Sequence, residues 1–290
     1  MSRIIAKSNG PARRLERGAT GVRLGCDWGA AKHGWYPCAA LRSCADGAFH
    51  VPSSRTSDTP PPSGWTPALL QRMRFLFWLK FLGVSGFMWL FFIAYFHLLR
   101  HPVRPVTVMP LTTLDHWIVF EPAAMAAYVS LWLYVGIPAG LTATLRQLVV
   151  YGLWIAALCI AGLAVFYVFP TAIPPPQLPA DVARHPGFAL LQGVDAAGNA
   201  CPSLHVATAV FSAIWIERQL RDVGMPWLLR SINWAWVALI VYSTLAIKQH
   251  VVLDAVAGVA LALLFAVPSL RWFPHGPRQA AAPVGARLAR

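Results

Sequence analysis

Two short stretches of this chain carry side chains able to do chemistry together. Residues 201–210 read CPSLHVATAV and place Ser203 and His205 in the first turn of an apolar helix, after a polar loop containing Asn199. Residues 243–258 read STLAIKQHVVLDAVAG and hold His250 and Asp254, four apart at the start of another apolar run. On a helix that spacing puts the pair on one face, one turn from each other. A carboxylate beside an imidazole orients the ring and raises its basicity. With Lys248 adjacent and backbone N–H groups unpaired at both helix starts, the set has the make-up of an anion site. A phosphate held there would permit in-line displacement. His250 attacks phosphorus, Asp254 holds its other ring nitrogen, and His205 protonates the departing oxygen. Two histidines and a carboxylate also suit iron or zinc, which is the competing chemistry. The further histidine clusters expected of a membrane di-iron enzyme are missing from the sequence, and the reading assigns no metal and no cofactor.

This chemistry requires both histidines at one depth, so the elements that carry them matter. The 290 residues are 57% hydrophobic and 12% charged, unlike a soluble domain. The apolar residues gather into six runs near the length that crosses about 30 Å of hydrocarbon, at 75–98, 118–138, 147–169, 202–217, 231–247 and 251–267. The fourth is short and polar at its start, which predicts that this end faces a cavity rather than lipid. Net charge is +13, yet most of the 24 basic residues fall on the segments that six spans with both termini inside would leave on the inner side. That is the positive-inside bias. It points to anionic lipid headgroups as partners, not nucleic acid, and puts His205 and His250 together at the outer ends of their spans. The five cysteines show no CxxC spacing and support neither a zinc knuckle nor a disulfide framework.

Residues 1–67 are rich in Arg, Ala, Gly, Ser and Pro without sustained apolar periodicity, and read as a disordered basic arm or a mis-called start. Residues 68–272 form the membrane domain and 273–290 a short basic tail. The fold expected is all-α, a bundle of six transmembrane helices. The prolines of HLLRHPVRPVTVMPLTTLDHW and PTAIPPPQLP mark two outer loops beside the site. Asp115 and His116 read as solvated loop residues, Glu121-Pro122 as a helix entry, and Lys80 as a lysine that snorkels or faces the bundle.

The two stretches together resemble the type 2 phosphatidic acid phosphatase superfamily, which includes vanadium haloperoxidases, and within it a branch similar to inositol phosphorylceramide synthases. Pro202-Ser203-Leu204-His205 resembles that family's Pro-Ser-Gly-His motif. His250 and Asp254 match the end of its third motif, with Ser243 at the family's serine. TTLDHWIVFEP and FPTAIPPP resemble landmarks of the synthase-like branch, so the likeness covers roughly 112–260. It implies His250 as nucleophile, Asp254 as its orienting partner and His205 as general acid, with Ser203, Lys248 and Thr244 around the phosphate. Thr244 stands where the family has Arg, and the first basic motif is not found before Pro202. Gln177 lies near where relatives carry a basic residue, and Arg184, Arg100 or Arg104 would have to compensate. The implied activity is a lipid phosphatase or headgroup phosphotransferase in a bacterial inner membrane, its site on the periplasmic face and its substrate a lipid phosphate or phosphodiester. The rival is a noncatalytic transporter or scaffold on a degenerate fold of the same kind. Oligomeric state is left open.

Overall fold

A computed structural model of the chain describes residues 64–175 and 199–273. Most of the arm, the tail beyond Phe273, and the segment with Gln177 and Arg184 lie outside the described residues.

The described residues are mostly helical. Helix α1 (Trp65–Arg74) precedes α2 (Phe77–Arg100). After the short strand β1 (Thr107–Val108) and α3 (Thr113–Trp117), a second span is built from a 3-10 turn (Pro122–Ala124), α4 (Met125–Tyr134) and α5 (Ile137–Gly140). Then come α6 (Leu145–Val168), strand β2 (Thr171–Ala172), α7 (Leu204–Asp222), α8 (Trp227–Ala246) and α9 (Val252–Arg271). Five of these segments, 77–100, 122–140, 145–168, 227–246 and 252–271, are long and apolar enough to cross a membrane.

Helix α7 is the exception in composition, and its position explains why. Phe211, Trp215 and six neighbours along it are fully buried, because α6, α8 and α9 all pack against it. Its last turns carry Glu217, which binds Arg221 at 2.6 Å and Arg230 of α8 at 3.0 Å. A central helix shielded by its neighbours does not need a lipid-facing surface.

Three departures from the sequence reading have local causes. The arm was expected to run to residue 67, but α1 begins at Trp65; Pro67 sits in its first turn, where a missing N–H costs nothing. The second span starts near Pro122 and not 118, and it breaks between α4 and α5, where Pro138 cannot continue the α4 ladder. Helix α7 starts at Leu204 with Ser203 as its cap, accepting from Val206 N–H at 3.2 Å, so Pro202 precedes the helix.

Hydrogen bonds between elements define two ends. At one, β1 pairs in parallel with β2, Glu121 N–H donates to Ala246 O at 3.0 Å, and Ser203 N–H donates to Asp254 O at 3.0 Å. At the other, Lys80 binds carbonyls near α5, and Gln219 Nε2 donates to Pro138 O at 2.8 Å. The Arg-bearing ends of α1, α7 and α9 belong to this second end.

Candidate active site

The two histidines meet at the first end. His205 is in the opening turn of α7, directly after the Ser203 cap. His250 lies just before α9, in the turn Ile247–Val251, and not on the helix itself as its spacing from Asp254 predicted. That turn is built tightly. Lys248 takes a left-handed conformation at φ 57°, and the carbonyl of Thr244 accepts the N–H groups of both Gln249 and His250 at 3.1 Å. The imidazole of His250 is thereby fixed by the end of α8 on one side and the start of α9 on the other.

His250 Nε2 lies 3.4 Å from His205 Nδ1, with ring centroids 5.5 Å apart. His250 Nδ1 faces Asp254 Oδ2 at 3.5 Å, a contact at ion-pair distance without hydrogen-bond geometry. Asp254 is fully buried and its Oδ2 accepts Val251 N–H at 3.1 Å. The far nitrogen of His205, Nε2, is 2.8 Å from the hydroxyl of Tyr128, whose ring stacks on the imidazole at 4.8 Å. The edge of Trp132 closes the other side at 5.6 Å. His205 therefore has one nitrogen held by Tyr128, His250 has one nitrogen facing Asp254, and the remaining nitrogens of the two rings face each other.

Close packing brings the two helices this near. A Cβ on Gly258 of α9 would lie 2.5 Å from Ser203 O, so only glycine allows α9 to reach the start of α7. Gly162 of α6 plays the same part beneath Leu204, where a Cβ would lie 2.4 Å from Leu204 Cδ2.

A cavity of about 540 Å³ opens onto the pair, and Asn199, His205 and His250 line it at this end. Four buried side-chain atoms without a partner among the described residues fall on Asn199, Gln249, His250 and Asp254. Buried polar groups are nearly always hydrogen-bonded, and of these four residues Asn199 and His250 line the cavity, with His250 Nδ1 facing Asp254 Oδ2. Among the described residues, no group of three or more His, Cys, Asp or Glu side chains is arranged to hold a metal ion.

Residues 110–267 match the family model described as PAP2 superfamily. The chain belongs to the PAP2 superfamily. Comparison with curated proteins and with solved structures returns no match. Membership suggests a lipid-phosphatase-type function, because the PAP2 superfamily generally comprises phosphatases and phosphotransferases. With five membrane-length helices it fits an integral membrane protein.

Within this PAP2 domain, the residues expected around the phosphate are placed differently from the histidines. Ser203 Oγ caps α7 and is fully buried. Thr244 Oγ1 donates back to Val241 O at 2.8 Å, so its contribution to the site is the carbonyl that shapes the His250 turn. Lys248 Nζ donates to Asp115 O at 3.2 Å and to Ile118 O, and is not among the residues lining the cavity. Burial lowers the pKa of Lys248 more than the nearby Asp115 raises it. Arg100 lies over the ring of Phe96 at 5.9 Å, beside the cavity's histidine end.

The helix-start amides also differ from the expectation of open phosphate donors. Val251 N–H is taken by Asp254, Val252 N–H by Asp115 Oδ1 at 2.8 Å, and Val206 N–H by Ser203. Asp115 is thus no solvated loop residue: it is buried, and it caps α9 from the loop before the second span. Its role was invisible because capping across 137 residues leaves no local spacing to read. Tyr128 and Trp132 were missed for a similar reason, since an aromatic in an apolar run reads as core or interface. Asn199 had a signal, its place just before the Ser203 motif.

Proposed function

We propose that this protein is an integral membrane lipid phosphatase or lipid headgroup phosphotransferase that works through a phosphohistidine on His250. The observation that carries the reading is the 3.4 Å approach of His250 Nε2 to His205 Nδ1, with the other nitrogen of His250 turned to buried Asp254. A nucleophile, an orienting carboxylate and an acid–base group are then in one cluster.

The chemistry follows from that placement. His250 Nε2 attacks phosphorus, the phosphorus–oxygen bond to the lipid breaks, and its electron pair stays on the lipid oxygen. His205, acting as the imidazolium, delivers its Nδ1 proton there, the lipid alcohol departs, and the neutral ring is left to act as base. Asp254 stabilises the positive charge that develops on His250. Water or an alcohol then attacks the phosphohistidine while His205 takes its proton, regenerating free His250. A gap of 3.4 Å leaves no room for phosphorus between the two nitrogens, so substrate entering from the cavity must displace this contact. Catalytic contacts often reach productive geometry only in the complex. Asn199 Nδ2, buried and without a partner among the described residues, is a donor at this end of the cavity placed for a phosphoryl oxygen. Ser203, Thr244 and Lys248 act by holding the two turns.

The Arg-bearing helix ends opposite the histidines favour a site on the outer face of a bacterial cell membrane, since basic residues gravitate to the inner side. The likeness of 112–260 to inositol phosphorylceramide synthases favours transfer to an alcohol as the second half-reaction. Purified protein incubated with a panel of lipid phosphates, diphosphates and phosphodiesters, with and without alcohol acceptors, tests both halves. Release of inorganic phosphate or a new lipid that disappears in His250→Gln supports the reading. A His250→Gln protein as active as the wild type overturns it.

A further inference from the structure

The cavity that opens on the histidines is much longer than a phosphate needs. It runs along most of α2, between that helix, α4–α5 and α6, from Asn199, His205 and His250 at one end to Lys80 at the other. Between those ends its walls are apolar or aromatic, with Phe87 and Phe91 from α2, Leu131 and Val135 near the α4–α5 break, and Leu148 and Ile155 from α6. We infer that this cavity is a binding channel for one long hydrocarbon chain of the phosphate-bearing lipid, and that the Lys80 end is a floor that limits the length of that chain. The inference rests on the lipid-phosphate reading above and specifies the lipid.

Lys80 decides between a floor and a second anion site. Its ammonium donates to Arg72 O at 2.7 Å, Gly140 O at 2.9 Å and Thr142 O at 2.9 Å. A lysine has three donors, and all three are occupied. The side chain offers the channel its methylene stem, not its charge. The same three bonds tie α1, α2 and the end of α5 together, closing the channel below.

Two glycines give the channel its width. A Cβ added at Gly83 of α2 or Gly152 of α6 would have no atom of the described residues within 4 Å, and both glycines line the cavity. Glycines in membrane helices usually let two helices close on each other, as Gly162 and Gly258 do here. Among the described residues Gly83 and Gly152 close on nothing, and the space they leave belongs to the channel.

Depth selects the chain. The stretch of α2 from Lys80 to Phe96 is about 24 Å long at 1.5 Å per residue. That exceeds half of a hydrocarbon layer roughly 30 Å thick. A chain seated there passes the bilayer midplane, which fits a single long alkyl or prenyl chain better than a pair of short acyl chains.

The test uses full-length protein and linear monoalkyl phosphates of increasing chain length, followed both by binding, as thermal stabilisation of the catalytically silent His250→Gln protein, and by phosphate release from the wild type. Affinity should rise by about fourfold per added methylene until the floor is met and then level off or fall. Gly83→Leu and Gly152→Leu should each weaken long-chain phosphates by about tenfold more than butyl phosphate, and Gly152→Ala, which fills little space, by much less. Affinity independent of chain length, or equal losses for long and short chains in both leucine variants, would overturn the channel. If chain-length-dependent binding responds to the glycine variants but no ester is ever cleaved, the channel stands and the catalytic reading fails. If esters are cleaved at rates and affinities that ignore chain length, the catalytic reading stands and the channel fails.

Discussion

Gly258 and Ser203 touch across the α7–α9 contact so closely that a single added methyl group would lie 2.5 Å from the Ser203 carbonyl oxygen and 3.0 Å from Val206 Cβ. Three residues of helix separate this contact from Asp254, whose own carbonyl accepts the Ser203 N–H. The spacing of these helix starts therefore sets the spacing of the two histidines. Gly258→Ala should cost about 1–3 kcal/mol, as overpacking does, and lower turnover by pushing His250 away from His205. Thermal unfolding in detergent together with a turnover assay checks both. Gly86→Ala on α2, where an added Cβ meets nothing within 4 Å, is the matched control and should unfold at the wild-type temperature or slightly above. Equal behaviour of the two variants would show that the α7–α9 contact is not what spaces the histidines.

Tyr128 bears on His205 in a way that can be separated from packing. Its hydroxyl, 2.8 Å from Nε2, holds that nitrogen and keeps Nδ1 turned toward His250. Tyr128→Phe keeps the stacked ring and removes the hydroxyl that makes that bond. Turnover should fall by about 10- to 100-fold, the equivalent of one hydrogen bond to a group that becomes charged, while KM and thermal stability change little. Loss of folded protein in this conservative variant would instead assign Tyr128 a structural role.

His205 and His250 should respond differently to the leaving group. If His205 supplies the proton for the departing oxygen, a p-nitrophenyl ester, whose leaving group needs none, should recover most of the roughly 10²- to 10⁴-fold loss that His205→Gln causes in leaving-group release from an alkyl ester, read as the first-turnover burst because the second half-reaction still lacks its base. His250→Gln should stay inactive on both, because no leaving group replaces a nucleophile. Parallel rates on the two esters for all three proteins settle it. Equal rescue of both variants would remove the distinction between acid and nucleophile.

How much of this was legible in the sequence depends on the distance over which each contact acts. The helices were readable because each span is a local run of apolar residues, and five of the expected runs correspond to membrane-length segments. The run at 202–217 reads as a short span because its last turns carry Glu217, Arg218, Arg221 and Asp222, and only three-dimensional burial shows why a central helix tolerates them. The meeting of His205 and His250 was legible from their shared depth. The partners of those side chains were not. Asp115 reaches α9 across 137 residues and Tyr128 reaches His205 across 77, and no spacing rule connects residues joined only by the fold. Lys248 shows the converse: its charge and position suggested phosphate, whereas its ammonium is bound by two loop carbonyls.

Asp115 also gives stability a defined pH dependence. Burial alone would raise its carboxyl above the ordinary value of 3.8, but hydrogen bonds from the Thr112 hydroxyl and amide and from the Val252 amide, with Lys248 nearby, outweigh burial and hold it below. A carboxyl depressed in the folded state adds stability that is fully present above its unfolded value and is lost as pH falls through its folded one. Asp115→Asn presents an amide N–H₂ to donors that now meet a carboxylate, so it should lower stability at neutral pH by about 0.5–2 kcal/mol, the usual cost of a lost helix cap. The gap between wild type and variant should hold from neutral pH down to about pH 5 and close as pH drops below 3.8. Unfolding temperatures measured in detergent at pH 7, 5, 4 and 3 trace that gap. A difference that stays constant over the series would mean that the side chain acts through shape alone, with no contribution from its charge to the start of α9.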